Sequence, residues 1–172
     1  MGFLFSKYPS PLRESLLHSC ETTIITRPGD LILVPSSELY ITLNDDIWQH
    51  VGIVVQYSGT QHVFVDGLFV NFKTFIEKHD SDQGLYLRQL DCVRPSFFNK
   101  QLVEWAQELS NLDLEMDARF YEGYAVGFLL AKMKCCLQNE VKRGGLLPYH
   151  FSSGTPFKRL QIRNYSDNIH FN

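Results

Sequence analysis

The sequence predicts an α+β fold, in which a small antiparallel β-sheet or half-barrel carries helices on one side. Short runs rich in β-branched and aromatic residues dominate the first half of the chain, and helical periodicity dominates the second half. Strands followed by helices are typical of a sheet with segregated helices. The 172 residues contain no repeat or linker-like stretch, so we expect a single domain, 1–172, in which 1–27 is a lead-in segment.

The strand predictions rest on apolar runs bounded by turn residues. Pro28-Gly29-Asp30 and Ser58-Gly59-Thr60 are turn sequences, and Gly67 indicates a bend between two short runs. The predicted strands are 31–34, 49–55, 62–66, 68–70 and 85–90, with a last strand near 160–162.

The helix predictions rest on periodicity. Leu102, Val103, Ala106 and Leu109 recur at helical spacing and predict a helix over 99–109. A second long helix is predicted over 124–141, ended by the two glycines at 144–145. Shorter helices are expected at 12–20 and 73–79.

Composition bounds the function classes. The net charge is −3, which argues against a nucleic-acid partner. The four cysteines form no C-x-x-C pair, so we expect no metal, no disulfide framework and a reducing, intracellular location. No apolar run is long enough to span a bilayer, and the first residues lack the order of a secretion signal. No cofactor is expected.

The opening residues read M-G-F-L-F-S, which fits the pattern for N-myristoylation at Gly2. The alternative is an ordinary apolar N-terminus that packs on the domain, and the bulky aromatic residue directly after Gly2 argues against acylation. Acylation would imply peripheral membrane contact, although a single acyl chain binds a membrane only weakly.

Two segments carry a resemblance to a known family. Gly29-Asp30 with the apolar run 31–34, followed by His50-Val51-Gly52-Ile53, resembles the signature of the NlpC/P60 superfamily. Because the histidine strand comes early, the order resembles the circularly permuted branch, which includes bacterial lipoprotein-like hydrolases, lecithin–retinol acyltransferase relatives and a poxvirus protein family. The resemblance covers roughly residues 28–160 and implies a papain-like fold and thiol chemistry.

His50 is the predicted anchor of the site. Gly52 lies two residues further along the same strand, and we expect it to leave space beside the imidazole. The resemblance implies that a polar residue on the next strand orients the histidine, and Asp66 stands at that position. The pair Asp66-Gly67 is also a strong turn signal, so the two interpretations of Asp66 remain open.

The nucleophile is harder to place. The resemblance implies a cysteine that opens a helix after an aromatic residue, and here Tyr124-Ala125 stands where Tyr-Cys is expected. Either Cys135 or Cys136 is the nucleophile, or Ala125 marks a site without one. A cysteine inside a helix receives little help from the helix dipole, which argues against the first alternative.

Two functions follow. The first is a thiol hydrolase or acyltransferase acting on an amide, ester or thioester bond of a peptide or lipid, with His50 as the base, Asp66 as its orienting group and Cys135 or Cys136 as the nucleophile. The second is a catalytically silent scaffold that binds an assembly partner or a membrane, a role that the viral relatives suggest.

Overall fold

The computed structural model confirms the α+β class and describes residues 17–19, 22–36, 48–79, 84–112, 114–153 and 160–171. The strands in this part of the chain are β1 (Leu17–Ser19), β2 (Thr22–Ile24), β3 (Leu31–Pro35), β4 (Trp48–Tyr57), β5 (Thr60–Val65), β6 (Leu68–Asn71), β7 (Leu85–Arg88) and β8 (Ile169–Phe171). The α-helices are α1 (Phe72–Lys78), α2 (Phe98–Ser110) and α3 (Ala118–Lys132), and short 3-10 helices lie at Gln138–Glu140 and Pro148–Phe151.

The main sheet has six antiparallel strands in the order β6-β5-β4-β3-β7-β8, and it is open rather than closed into a barrel. Strands β1 and β2 form a separate pair. Tight turns join β4 to β5 and β5 to β6, and positive φ angles at Ser58, Gly59, Asp66 and Gly67 fit two-residue hairpin turns. These hairpins fix the register of the sheet.

Alternation along the strands creates two apolar faces. Leu31, Leu33, Val51 and Ile53 belong to a large buried cluster with residues of α2 and α3. The strand residues that alternate with these, including Ile32 and Val54, form a second cluster on the opposite face with Phe72 and Phe75 of α1. Helices α2 and α3 therefore share one face, and the short α1 covers part of the other.

The last long helix differs from its prediction. Helix α3 begins at Ala118 and ends at Lys132, whereas the sequence predicted 124–141. Lys134 has a φ of 60°, its N–H bonds the carbonyl of Ala131, and the N–H of Cys135 bonds the carbonyl of Leu130 at 2.8 Å. This is the Schellman geometry of a helix end, formed here on a lysine rather than a glycine. The glycines at 144–145 therefore do not terminate the helix.

Two further element predictions were wrong. Residues 160–162 form no strand, and β8 at Ile169–Phe171 instead completes the sheet by pairing with β7. Leu17–Ser19 is a strand, although the helix prediction for 12–20 covered it; the rest of that segment lies outside the described residues. Arg88 is buried and donates to the carbonyls of Phe151 and Ser166, so it ties the C-terminal loops to the sheet.

In the part of the chain that the structure describes, no helix is both long enough and apolar enough to cross a bilayer.

Candidate functional site

His50 and Glu122 form the centre of the candidate site. Nδ1 of His50 lies 2.6 Å from Oε1 of Glu122, and the backbone N–H of Val51 donates to Oε2 of the same carboxylate at 3.4 Å. His50 belongs to β4 and Glu122 to the second turn of α3, 72 residues further along the chain. The contact joins the sheet to the N-terminal half of α3.

The two partners differ in burial. The side chain of Glu122 is 3% exposed, whereas that of His50 is 30% exposed. A carboxylate this deeply buried needs a polar partner, because water cannot solvate it. The imidazole satisfies the carboxylate on one side and leaves part of its own ring accessible to a ligand.

A register shift in the sheet sets the direction of His50. Val34 pairs with His50, but the next residue, Pro35, pairs with Trp48, so Gln49 is left as an extra residue in β4. A bulge of this kind bends the strand and re-aims the side chains beside it. His50 therefore reaches Glu122 of α3 and also His79 beyond α1.

His79 forms the second wall of the site. Its ring lies 5.2 Å from the ring of His50 and 4.6 Å from that of Phe75, measured between centroids. Burial lowers the pKa of His79 from 6.5 to about 4, and the neighbouring His50 and Lys78 lower it further in the same direction. The neutral form of His79 therefore faces the site at neutral pH.

Close packing behind Glu122 fixes the position of α3. A Cβ added at Gly123 would lie 2.3 Å from the carbonyl oxygen of Leu146, and one added at Gly127 would lie 2.8 Å from the Leu146 side chain. Only glycine permits this approach. The loop that contains Leu146 therefore holds the helix where Glu122 meets His50.

Asp66 does not make the contact predicted for it. The carboxylate within hydrogen-bonding distance of Nδ1 of His50 is that of Glu122. Asp66 lies in the β5–β6 turn with a φ of 50°, beside Gly67 with a φ of 73°. Of its two proposed interpretations, the position of Asp66 in the structure matches the turn residue.

Gly52 also has a different role from the expected one. A Cβ at this position would lie 2.4 Å from Cγ1 of Val63 on the neighbouring strand. The room that Gly52 leaves is filled by that valine rather than by space for a ligand beside His50. The glycine serves the close packing between β4 and β5.

Ala125 lies in the core. It is 2% exposed and belongs to the cluster between α3 and the sheet. Glu122, one helical turn earlier, is the α3 residue whose side chain contacts His50.

Cys135 and Cys136 lie beyond the C-terminal end of α3, whereas Glu122 lies near its N-terminal end. The rise of an α-helix separates the levels of Glu122 and Lys132 by about 15 Å. Burial raises the pKa of Cys135 to about 11 and that of Cys136 to about 12. Both thiols are buried and protonated at neutral pH, which is the opposite of what a thiolate nucleophile needs.

Glu122 is the residue that the sequence analysis missed. It is the sole acidic residue in the otherwise apolar or basic segment ARFYEGYAVGFLLAK, and it directly follows the aromatic pair Phe120-Tyr121. A lone carboxylate on an apolar helix signals a buried partner. The predicted helix begins at 124, six residues later than α3 does, so Tyr124-Ala125 was interpreted as the opening of the helix.

Two remaining predictions concern a metal site and the acylation of Gly2. No group of three or more His, Cys, Asp or Glu side chains in the described ranges is arranged to hold a metal ion. Gly2 lies outside the described residues, so its proposed acylation stays a prediction.

Comparisons with known proteins give little. No protein-family profile matches the sequence, and no curated protein matches it. Among solved structures, the chain is similar to the metalloprotein yiiX from Escherichia coli O157:H7, with a TM-score of 0.47 and 16% identity over 62% of this chain. The chain spans 65% of the length of that protein. A likeness at this level assigns neither a family nor an activity.

Proposed function

We propose that this protein is a catalytically silent relative of the permuted NlpC/P60 hydrolases, which uses the surface around His50 for binding rather than for thiol chemistry. One observation carries the proposal: the α3 side chain that meets the imidazole is the carboxylate of Glu122, at 2.6 Å. In the hydrolases that the sequence resembles, the group beside the histidine is a thiolate.

A carboxylate in this position cannot replace the thiolate. Both oxygens of Glu122 are already engaged, one by His50 and one by the backbone N–H of Val51. A nucleophile needs an oxygen that a substrate can reach, and the Glu122 side chain, which is 3% exposed and held by two partners, does not present one. The described thiols do not compensate, since Cys135 and Cys136 are buried and Cys92 is exposed on a loop after β7.

What remains is a recognition site. The partly exposed imidazole of His50, the ring of His79 and the packed start of α3 offer hydrogen-bonding and apolar contacts to a peptide or lipid group. An assembly partner, in a cell or in a virus particle, is the occupant that the resemblance suggests. The free thiols of Cys92, Cys135 and Cys136 favour a reducing, intracellular environment.

The substitution Glu122→Cys tests the proposal by restoring the missing atom. The background carries serine at Cys20 and Cys92, so that the new thiol is measured on its own. If the frame around His50 is papain-like, the imidazole lowers the pKa of the new thiol, and iodoacetamide labels it about tenfold faster at mildly acidic pH than a free thiol. Adding His50→Asn should abolish the difference.

Ala125→Cys in the same background is the matched control. Its thiol would lie in the core and should be labelled slowly, with no dependence on His50. Fast, His50-dependent labelling of Ala125→Cys, or slow labelling of Glu122→Cys in a folded protein, would contradict the proposed position of the site.

A second candidate function follows from the same contact. A carboxylate bound to Nδ1 is also the arrangement that orients a histidine as general base, with Nε2 free to activate a water or a substrate hydroxyl. Under this alternative the unmodified protein hydrolyses activated esters, and both Glu122→Gln and His50→Gln remove the activity. A silent protein shows no turnover above that of the His50→Gln variant.

A further inference from the structure

The surface of α3 carries a stripe of two neighbouring aromatic rings with a cation over each. Arg143 lies over the ring of Tyr124 at 5.9 Å, the rings of Tyr124 and Phe128 are 6.4 Å apart, and Lys132 lies over Phe128 at 5.2 Å. Lys142 is exposed beside Arg143. These five residues form a continuous surface, which we call the cation–aromatic stripe.

The charges of the stripe are not neutralised within the described part of the chain. Lys132, Lys142 and Arg143 make no salt bridge there, whereas Lys73 and Lys100 each pair with a glutamate four residues on. Glu115 lines a small cavity with Arg143, and it is the one carboxylate among the residues that line this cavity. A protein with a net charge of −3 thus presents one face with an excess of positive charge.

Two exposed apolar side chains lie close in sequence to elements that form this face. Leu112 is 47% exposed and precedes the 114–116 loop, which forms a wall of the cavity with Arg143. Leu137 is 48% exposed and follows the end of α3. Apolar side chains next to unpaired cations and half-buried aromatic rings are typical of surfaces that lie in a lipid headgroup layer.

We infer that the cation–aromatic stripe docks this protein on an anionic lipid surface. Two other kinds of partner, a nucleic acid and an amphipathic helix, fit the stripe less well. Nucleic-acid bases stack on open aromatic faces, but Arg143 and Lys132 already cover those of Tyr124 and Phe128. An amphipathic partner helix needs an apolar groove, whereas each ring of the stripe has a cation over it. A flat anionic bilayer satisfies the cations without requiring either feature.

The inference is independent of the site at His50, so the two proposals fail separately. The test is sedimentation of the full chain with vesicles of phosphatidylcholine, alone or mixed with phosphatidylserine. Binding is expected with the mixed vesicles and not with phosphatidylcholine alone, and it should weaken as salt is added. The triple substitution Lys132→Gln, Lys142→Gln and Arg143→Gln should lower the partition coefficient on the order of 100-fold, since each cation contributes about fivefold.

The control variant removes the same number of charges from other surfaces, with Lys73→Gln, Lys78→Gln and Lys100→Gln. It should bind the mixed vesicles as the unmodified protein does, and circular dichroism should show both triple variants folded. Equal binding to the two kinds of vesicle, or equal loss in both triple variants, overturns the inference. So does displacement of the protein from mixed vesicles by a single-stranded oligonucleotide at equal phosphate concentration.

Discussion

Two buried carboxylates stand at opposite ends of β3, and they differ in what surrounds them. Asp30 directly precedes the strand, is fully buried, and accepts from Arg94, from the N–H of Leu90 and from the N–H of Arg27, all within 2.9 Å. Glu122 contacts His50, which pairs with Val34 near the other end of the strand.

The difference separates a structural contact from a site. Asp30 is held by a permanently charged guanidinium and two backbone donors, and the Arg94 side chain is only 11% exposed. Glu122 is held by a titratable ring that is 30% exposed and that borders a second histidine. A buried carboxylate indicates function only when its partner is reachable.

The largest effect should come from Asp30→Ala. The substitution leaves Arg94 as an unpaired buried charge and two backbone amides without their acceptor, so we expect the free energy of unfolding to fall by about 3–5 kcal/mol. Urea denaturation measures it. A loss below that of the Glu122 variant would show that Asp30 is not the stronger structural contact.

A smaller loss of stability is expected at Glu122, near the other end of β3. Glu122→Ala removes the partner of His50 and of the Val51 N–H, and the free energy of unfolding should fall by about 2–3 kcal/mol, because one imidazole face stays accessible to water. Glu122→Gln keeps the shape and one acceptor, so it should lose less. The same urea titration measures both losses. If Glu122→Ala left the free energy of unfolding unchanged, the contact would contribute nothing to stability.

As the pH falls, His79 and Asp30 should change the stability of the protein in opposite directions. Burial lowers the pKa of His79 from 6.5 to about 4, so the unfolded chain binds the extra proton and stability is lost as the pH falls through this window. Burial raises the pKa of Asp30 from 3.8 to about 6, against the attraction of Arg94, so the folded chain binds the extra proton and stability is gained as the pH falls from 6 to 4.

Two neutral variants separate these contributions. His79→Gln should lose less stability than the unmodified protein between pH 6.5 and pH 4, and Asp30→Asn should lose more. Urea midpoints at several pH values measure both slopes. Identical slopes in all three proteins would show that neither group governs the acid response.

The smallest effect is expected for an exposed pair. Glu104→Ala removes the partner of Lys100, at 3.9 Å and with both side chains largely exposed, and should change the free energy of unfolding by less than about 0.5 kcal/mol. A loss comparable to that of Glu122→Ala would contradict the premise that burial distinguishes these pairs.

Much of the fold followed from local patterns. The runs at 31–34, 49–55 and 62–66 predicted three adjacent strands, and the apolar spacing from Leu102 to Leu109 predicted α2. The errors were the end of α3, the predicted strand at 160–162 and the predicted helix at 12–20, part of which is a strand. Lys134 takes the positive φ that ends α3, and no residue type there announces it.

The site was harder to predict, because its parts are far apart in sequence. His50 was singled out, and it does face α3, but its partner was assigned to Asp66, sixteen residues away on the next strand. The actual partner is 72 residues away. Only the packing of Gly123 and Gly127 against Leu146 decides which turn of α3 meets the imidazole.

The sequence by itself determined the fold class, the strand order along the chain and the prominence of His50, because these depend on periodicity and turn residues. The tertiary structure alone decided that Glu122 meets the imidazole, that Asp66 is a turn residue, and that Cys135 and Cys136 lie beyond the far end of α3. Local patterns encode which surfaces are apolar, whereas the meeting of two particular side chains depends on how whole elements pack.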